Sequence, residues 1–198
     1  MVLPVGEEQV GERAKAVRGP PCLFHTMVAP ATITRGAVYF LSGVMQGSST
    51  ASDASRIEVK GVSVVSQDYR ALMKEAILKA DSSAKVLEPW DLVGKVVKDM
   101  YGPDVPKEEY FKADKDVATA FQHCVDQAAM SDVVVSYLPE ASMGSAVEIH
   151  AARLQGKRII AIAPGRMAGN WVVRSYSDNK IDTIDELPDL IASLLDPA

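Results

Sequence analysis

The stretch from Tyr137 to His150, YLPEASMGSAVEIH, gathers the side chains best suited to chemistry in this chain. A carboxylate, Glu148, follows two hydroxyls, Ser142 and Ser145, and a glycine, Gly144. With a helix opening near Ser145, the hydroxyls and the free N–H groups of its first turn form a cradle for an anion, reinforced by the helix dipole. A carboxylate beside such a cradle could attack an electrophilic carbon while the anionic end of the same ligand is held nearby. The same residues have a plainer use. Ser145-x-x-Glu148 is also a capping box, in which the two side chains satisfy the helix's own orphan N–H groups, and pattern alone favours that use. A second loop, Gly43–Ser49 (GVMQGSS), offers N–H groups and hydroxyls to a phosphate through Gly43 and Gly47, and a simple turn accounts for it equally well.

These residues need a scaffold, and the hydrophobic pattern supplies one. Ala37–Ser42 (AVYFLS) is a short apolar run ending at Gly43, which reads as a buried strand entering a loop that extends to about Val59. Ser66–Ala80 places Tyr69, Leu72, Met73, Ala76, Ile77 and Ala80 on one face at helical spacing. Ala84–Glu88 reads as a second strand, followed by an irregular stretch to about Tyr110 and a helix over Asp114–Met130. Asp132–Leu138 (DVVVSYL) is a β-branched run of the kind found in central parallel strands. A helix over Ser145–Gln155 follows, with Gly156 as its stop, then a strand over Arg158–Ala163, an edge strand over Asn179–Asp182 and a terminal helix over Ile184–Leu195. Strands alternating with helices imply a single α/β domain of Rossmann-like or flavodoxin-like type. Its parallel sheet would have about five strands, doubly wound, with helices on both faces. The domain is expected over residues 36–198, with residues 1–35 as a peripheral arm. In such sheets ligands bind beyond the carboxyl ends of the strands, so the loops after Ser42, Glu88, Leu138 and Ala163 are expected to rim one crevice.

Composition narrows the partners. The 198 residues carry a net charge of −5 and no dense basic block, which argues against polymeric nucleic acid. The two cysteines, Cys22 and Cys124, lack metal-site or disulfide-scaffold spacing, which fits a reducing compartment; a cytoplasmic setting is the default expectation, with no metal and no cofactor expected. No apolar run reaches the roughly 20 residues that span a bilayer, so no membrane partner is expected.

Three segments in register carry a family resemblance. Phe40-Leu41-Ser42-Gly43, Asp132-Val133-Val134-Val135 followed by Ser142-x-Gly144-x-x-x-Glu148, and Gly156-Lys157-Arg158-Ile159-Ile160 resemble the first strand, the catalytic loop and the fourth strand of the nucleoside 2-deoxyribosyltransferase superfamily. That superfamily includes the nucleoside 5′-monophosphate N-glycosidases, cytidylate-cleaving members among them. The resemblance implies that Glu148 attacks the anomeric carbon of a nucleotide sugar, releases the base and forms a glycosyl-enzyme ester. Water or a second base then resolves that ester with retention. Ser142 stands where transferases acting on free nucleosides carry an acidic residue, and serine there implies a 5′-monophosphate. Phe40 stands where deoxynucleotide hydrolases carry tyrosine, which implies room for a ribose 2′-hydroxyl; as a strand residue it is equally a core side chain. Gln46 replaces an arginine of some relatives. Trp90 and Asp91 are implied partners for the base, with packing the simpler use for Trp90. Asn170 falls where relatives reach into a neighbouring subunit's site, implying a homodimer or higher homo-oligomer with shared sites; the alternative is a surface loop anchored by Trp171.

One position departs from the pattern. Relatives carry an aspartate eight residues before the aspartate that opens the third strand, where it helps to protonate the leaving base. Here that position is Cys124. Asp126 is two residues away, roughly 200° around a helix, so Asp126, His123 and Asp91 are the remaining candidates for the acid. Three functions are therefore carried forward: a nucleotide N-glycosidase, a deoxyribosyltransferase that exchanges bases, and a nucleotide sensor that lost catalysis with its acid.

Overall fold

The computed structural model describes residues 32–44, 56–59, 62–65, 67–104 and 114–197. Its centre is a five-stranded, wholly parallel sheet built from β1 (Val38–Gly43), β4 (Lys85–Leu87), β5 (Val133–Tyr137), β6 (Arg158–Ile162) and β7 (Asn179–Ile181), in the order β4-β1-β5-β6-β7. Alternate residues of these strands feed two separate cores. Tyr39, Leu41, Val133, Val135, Ile160 and Ile162 face α1 (Asp68–Ala80) and α6 (Leu187–Leu194). Phe40, Val134, Ile159 and Ala161 face the opposite layer, formed by α2 (Pro89–Tyr101), α3 (Asp114–Met130), α4 (Met143–Leu154) and α5 (Trp171–Tyr176). Burial on both faces explains why β5 opens on three consecutive valines where a half-exposed strand would alternate. Each large apolar side chain so buried contributes about 1.5–3 kcal/mol.

The strand order has a direct consequence for ligand binding. In chain order the sheet runs 2-1-3-4-5, so the winding reverses between β1 and β5, and the crevice of a doubly wound sheet opens at their carboxyl ends. Gly43 and Tyr137 lie opposite one another at that point.

Four sequence expectations need correction. Residues 56–59 are not loop: β2 (Arg56–Val59) pairs antiparallel with β3 (Val62–Val65), two β-branched runs separated by Lys60 and Gly61. The stretch after the second strand is largely α2, where Pro89 at the start fits the first turn and Val93 and Val97 bury one turn apart, despite Gly94 between them. The face of α1 is rotated from the expected one, so that Leu72 is exposed and Arg70 is buried in its place. Lastly, α4 starts at Met143 and not at Ser145. Gly156, by contrast, sits where α4 ends, at a φ of 66° that favours glycine. Residues 1–31 of the expected arm lie outside the described residues. Ile33 is already part of the core, donating its N–H to Leu194 O at 2.7 Å and pairing with Leu195.

Candidate active site

The early start of α4 changes the role open to Glu148. Ser142 is the N-cap: its Oγ accepts from Ser145 N–H at 3.2 Å and from Ser145 Oγ at 3.0 Å. The cap is thus closed by the two serines, and the capping box read from Ser145-x-x-Glu148 does not form. Glu148 lies six residues past the cap, in the second turn, on the face turned toward the sheet. There it meets β1. Ser42 Oγ donates a hydrogen bond of 2.6 Å to Glu148 Oε2, with both side chains buried.

A carboxylate out of water is costly unless paired, and this one has only partial compensation. Burial pushes its pKa up from the ordinary 4.5 to about 7, against the hydrogen bond from Ser42 and the positive charge of Arg70, both of which pull it down. Arg70 is held by neutral acceptors, donating through Nε to Gln67 Oε1 at 2.7 Å and through a terminal nitrogen to Leu41 O at 2.8 Å. Glu148 is therefore poised near neutrality, the condition that suits a nucleophile or base at physiological pH.

The end of β1 is closed by an aromatic pair. Tyr69 packs on Gly43 so tightly that a Cβ there would overlap its hydroxyl and lie 2.8 Å from a ring carbon. This is why the strand ends in glycine. Tyr69 donates its hydroxyl to Val44 O at 3.3 Å, stacks at 4.8 Å on Tyr137, and has a pKa raised to about 12, chiefly by burial, so it stays protonated. Beside Ser42 on the neighbouring strand, Ser136 is its register partner; its Oγ is buried with no hydrogen-bond partner among the described residues.

The remaining expected site residues divide. Ser142 and Asn170 do come together, lining one small recess of about 70 Å³ with Leu138, Ala146 and Ile149. Asn170 caps α5, its Oδ1 accepting from Val172 N–H at 2.9 Å and Val173 N–H at 3.4 Å. The surface loop anchored by Trp171 is not found: Trp171 opens that helix and is 84% exposed. Gly144 faces Phe121 at ordinary contact distance. Phe40 is wholly buried in the core layer, two residues before Ser42, and presents no surface to a ligand. Trp90 is 40% exposed and Asp91 exposed, both in the first turn of α2. Gln46 and Gly47 lie outside the described residues.

On α3 the buried face reads Asp116, Ala120, Cys124 and Ala128, at a spacing of four. Cys124 thus occupies the inward position expected of the acid, near enough to Glu148 for that charge to act on it. Burial first, then Glu148, raise its thiol to about 12, so it remains a neutral thiol. Asp126 is exposed and accepts from Gln122 Nε2 at 2.8 Å, while His123 is half-buried beside it. Among the described residues no group of three His, Cys, Asp or Glu side chains is arranged to hold a metal ion, and no helix is long and apolar enough to cross a membrane. Sequence reading missed Ser42, Tyr69 and Arg70 as neighbours of Glu148, and Tyr137 as the ring packed on Tyr69. The one sequence signal was an arginine in an otherwise apolar helix face.

No family profile and no curated protein sequence matches the chain. Solved structures do resemble it. A conserved protein from Enterococcus faecalis shares 15% identity at a TM-score of 0.49, over 80% of this chain and 99% of its own. A 2-deoxyribosyltransferase from Bacillus psychrosaccharolyticus shares 13% at 0.49, over 80% and 96%. The CMP N-glycosidase BcmB from Clostridium botulinum shares 14% at 0.43, over 80% and 99%. At such low identity, what Glu148 and its neighbours can do rests on their own geometry.

Proposed function

We propose that the protein hydrolyses the N-glycosidic bond of a nucleoside 5′-monophosphate, a ribonucleotide by preference, with Glu148 as nucleophile. The observation that carries this is the placement of a buried glutamate, poised near neutrality and held by Ser42, at the reversal point of a doubly wound sheet. An oxygen lone pair of Glu148 forms a bond to the anomeric carbon. The carbon–nitrogen bond breaks with its electron pair going to the base, which takes up a proton. Water then attacks the same carbon, loses a proton to solvent, and the carbon–oxygen pair returns to the carboxylate. The products are free base and pentose phosphate, the latter with retained configuration. Ser142 and the first-turn amides of α4 receive the phosphate. The sequence resemblance at Asn170 extends the proposal to a homodimer with shared sites, and the exposed Trp171 and Met143, adjoining Asn170 and Ser142, suit such an interface.

Cys124 favours a second reading. With a thiol that does not ionise where an acid is expected, the chain would bind nucleotides without turning them over. A panel of ribo- and deoxynucleotides and nucleosides, followed by chromatography, separates the cases. Free base lost in Glu148→Gln supports hydrolysis, exchanged nucleosides formed with a second base point to a transferase, and binding without turnover to a sensor. Wild type and variant equally inert, with no binding, would remove the proposal.

A further inference from the structure

We propose that Ser42 divides the labour between the two oxygens of Glu148, holding Oε2 as the retained oxygen and leaving Oε1 to attack and carry the sugar. The inference rests on the glycosidase reading, but part of its test does not. Its basis is geometric. The 2.6 Å contact falls in the range of a hydroxyl donating to an ionised carboxylate, and it joins residues 106 positions apart. Both partners sit on rigid elements. Ser42 is fixed by β1, paired with β5 at Ser136, and Glu148 by a helix whose start is locked at Ser142. Ser42 is wholly buried and Glu148 only 6% exposed, so water competes little for the bond.

A single hydroxyl proton can serve only one carboxylate oxygen at a time, and the geometry points it at Oε2. When Oε1 attacks the anomeric carbon, Oε2 becomes the carbonyl oxygen of the ester, still accepting from Ser42. When water displaces the sugar, the pair of the carbon–Oε1 bond returns to the carboxylate, and the hydrogen bond strengthens as charge reappears on Oε2. Ser42 thereby makes Glu148 a better leaving group in the second step and keeps it ionised before the first. It touches no reacting atom, so it is a positioning residue.

The test is Ser42→Ala, with Ser42→Thr to restore the hydroxyl and Ser136→Ala as a control that removes the neighbouring buried hydroxyl. Removing the donor disfavours the charged form, so the midpoint for Glu148, read directly by carbon-13 NMR of its carboxyl against Glu148→Gln, should rise by about one pH unit. The acidic limb of the kcat profile should move with it. Release of sugar from the ester should slow about tenfold, giving a burst of base in rapid-quench experiments that wild type lacks. Ser42→Thr should recover most of both effects, and Ser136→Ala should show neither. An unmoved NMR midpoint in Ser42→Ala, or an equal shift in Ser136→Ala, overturns the inference whether or not turnover is found. Turnover that is abolished by Glu148→Gln but unaltered in pH profile and burst by Ser42→Ala overturns it while leaving the glycosidase reading intact.

Discussion

Replacing Glu148 by glutamine should stabilise the protein, by an amount that depends on pH in a defined direction. The folded state holds the Glu148 proton with a pKa of about 7, whereas the unfolded chain holds it at the ordinary 4.5. Between those values the folded state binds more protons than the unfolded one, so raising the pH costs stability. The cost is absent below the unfolded value, grows across the window, and is fully present above the folded value. At about 1.4 kcal/mol per pH unit, it is below about 1 kcal/mol near pH 5 and roughly 3 kcal/mol near pH 8. Glutamine has the same shape, can accept from Ser42, and carries no charge to bury. Glu148→Gln should therefore raise Tm by about 6–12 °C near pH 8, and by little near pH 5, for a domain of this size. Thermal unfolding of both proteins across that range is the assay, with denaturant titration at the two ends to convert midpoints into free energies. A variant equally or less stable than wild type near pH 8 would refute the strained carboxylate. So would a gain that does not change with pH.

Other consequences are separately checkable. Gly43→Ala should cost about 1–3 kcal/mol, because the new methyl overlaps the ring of Tyr69, while Gly144→Ala should fall within about 0.5 kcal/mol of wild type, its nearest neighbour being Phe121 at ordinary contact distance; denaturant titration compares them, and equal effects would contradict the packing. In a Cys22→Ser background, Cys124 should resist a thiol-specific reagent near pH 8 by about a hundredfold or more relative to the unfolded chain, since it is buried and its thiol does not ionise; reaction at the unfolded rate would place it elsewhere. Trp171→Asp should shift sedimentation from dimer to monomer if the exposed apolar pair with Met143 is covered by a second copy, and an unchanged distribution would move the interface away from α5.

Much of the scaffold was legible because its signals are local. Short apolar runs marked β1, β5 and β6, and the helix expected over Asp114–Met130 has those bounds. What escaped was either masked by glycine or set by distant contacts. Gly94 obscured α2, and the hairpin between Arg56 and Val65 read as loop because Lys60 and Gly61 interrupt two short runs. Arg70 took the buried place expected for Leu72 because the carbonyl of Leu41 offers it a hydrogen bond, a partner 29 positions away that no helical periodicity encodes. Glu148 was visible as a residue of interest, yet its surroundings were not. Pattern alone made it a cap for Ser145, and only the start of α4 at Met143 frees it for Ser42.

Cys124 and Glu148 explain one another. A carboxyl at position 124 would stand close to Glu148 in the same poorly solvated layer, and two buried like charges cannot both ionise near neutrality. Burial already pushes Glu148 up to about 7 with a neutral thiol as its neighbour; a second carboxylate would drive it higher and keep Glu148 protonated near neutral pH. On the proposed glycosidase reading, a neutral thiol at position 124 leaves Glu148 able to ionise and leaves protonation of the base to solvent. The kinetic signature follows. With Cys124 and Tyr69 both raised to about 12, neither loses a proton in the working range. The profile of kcat at saturating substrate should accordingly rise through a single ionisation near 7 and then stay level, and rates should track how readily each base departs. A bell-shaped profile, with a basic limb of its own, would mean that a side chain of ordinary pKa, other than Cys124, serves the leaving base in place of solvent.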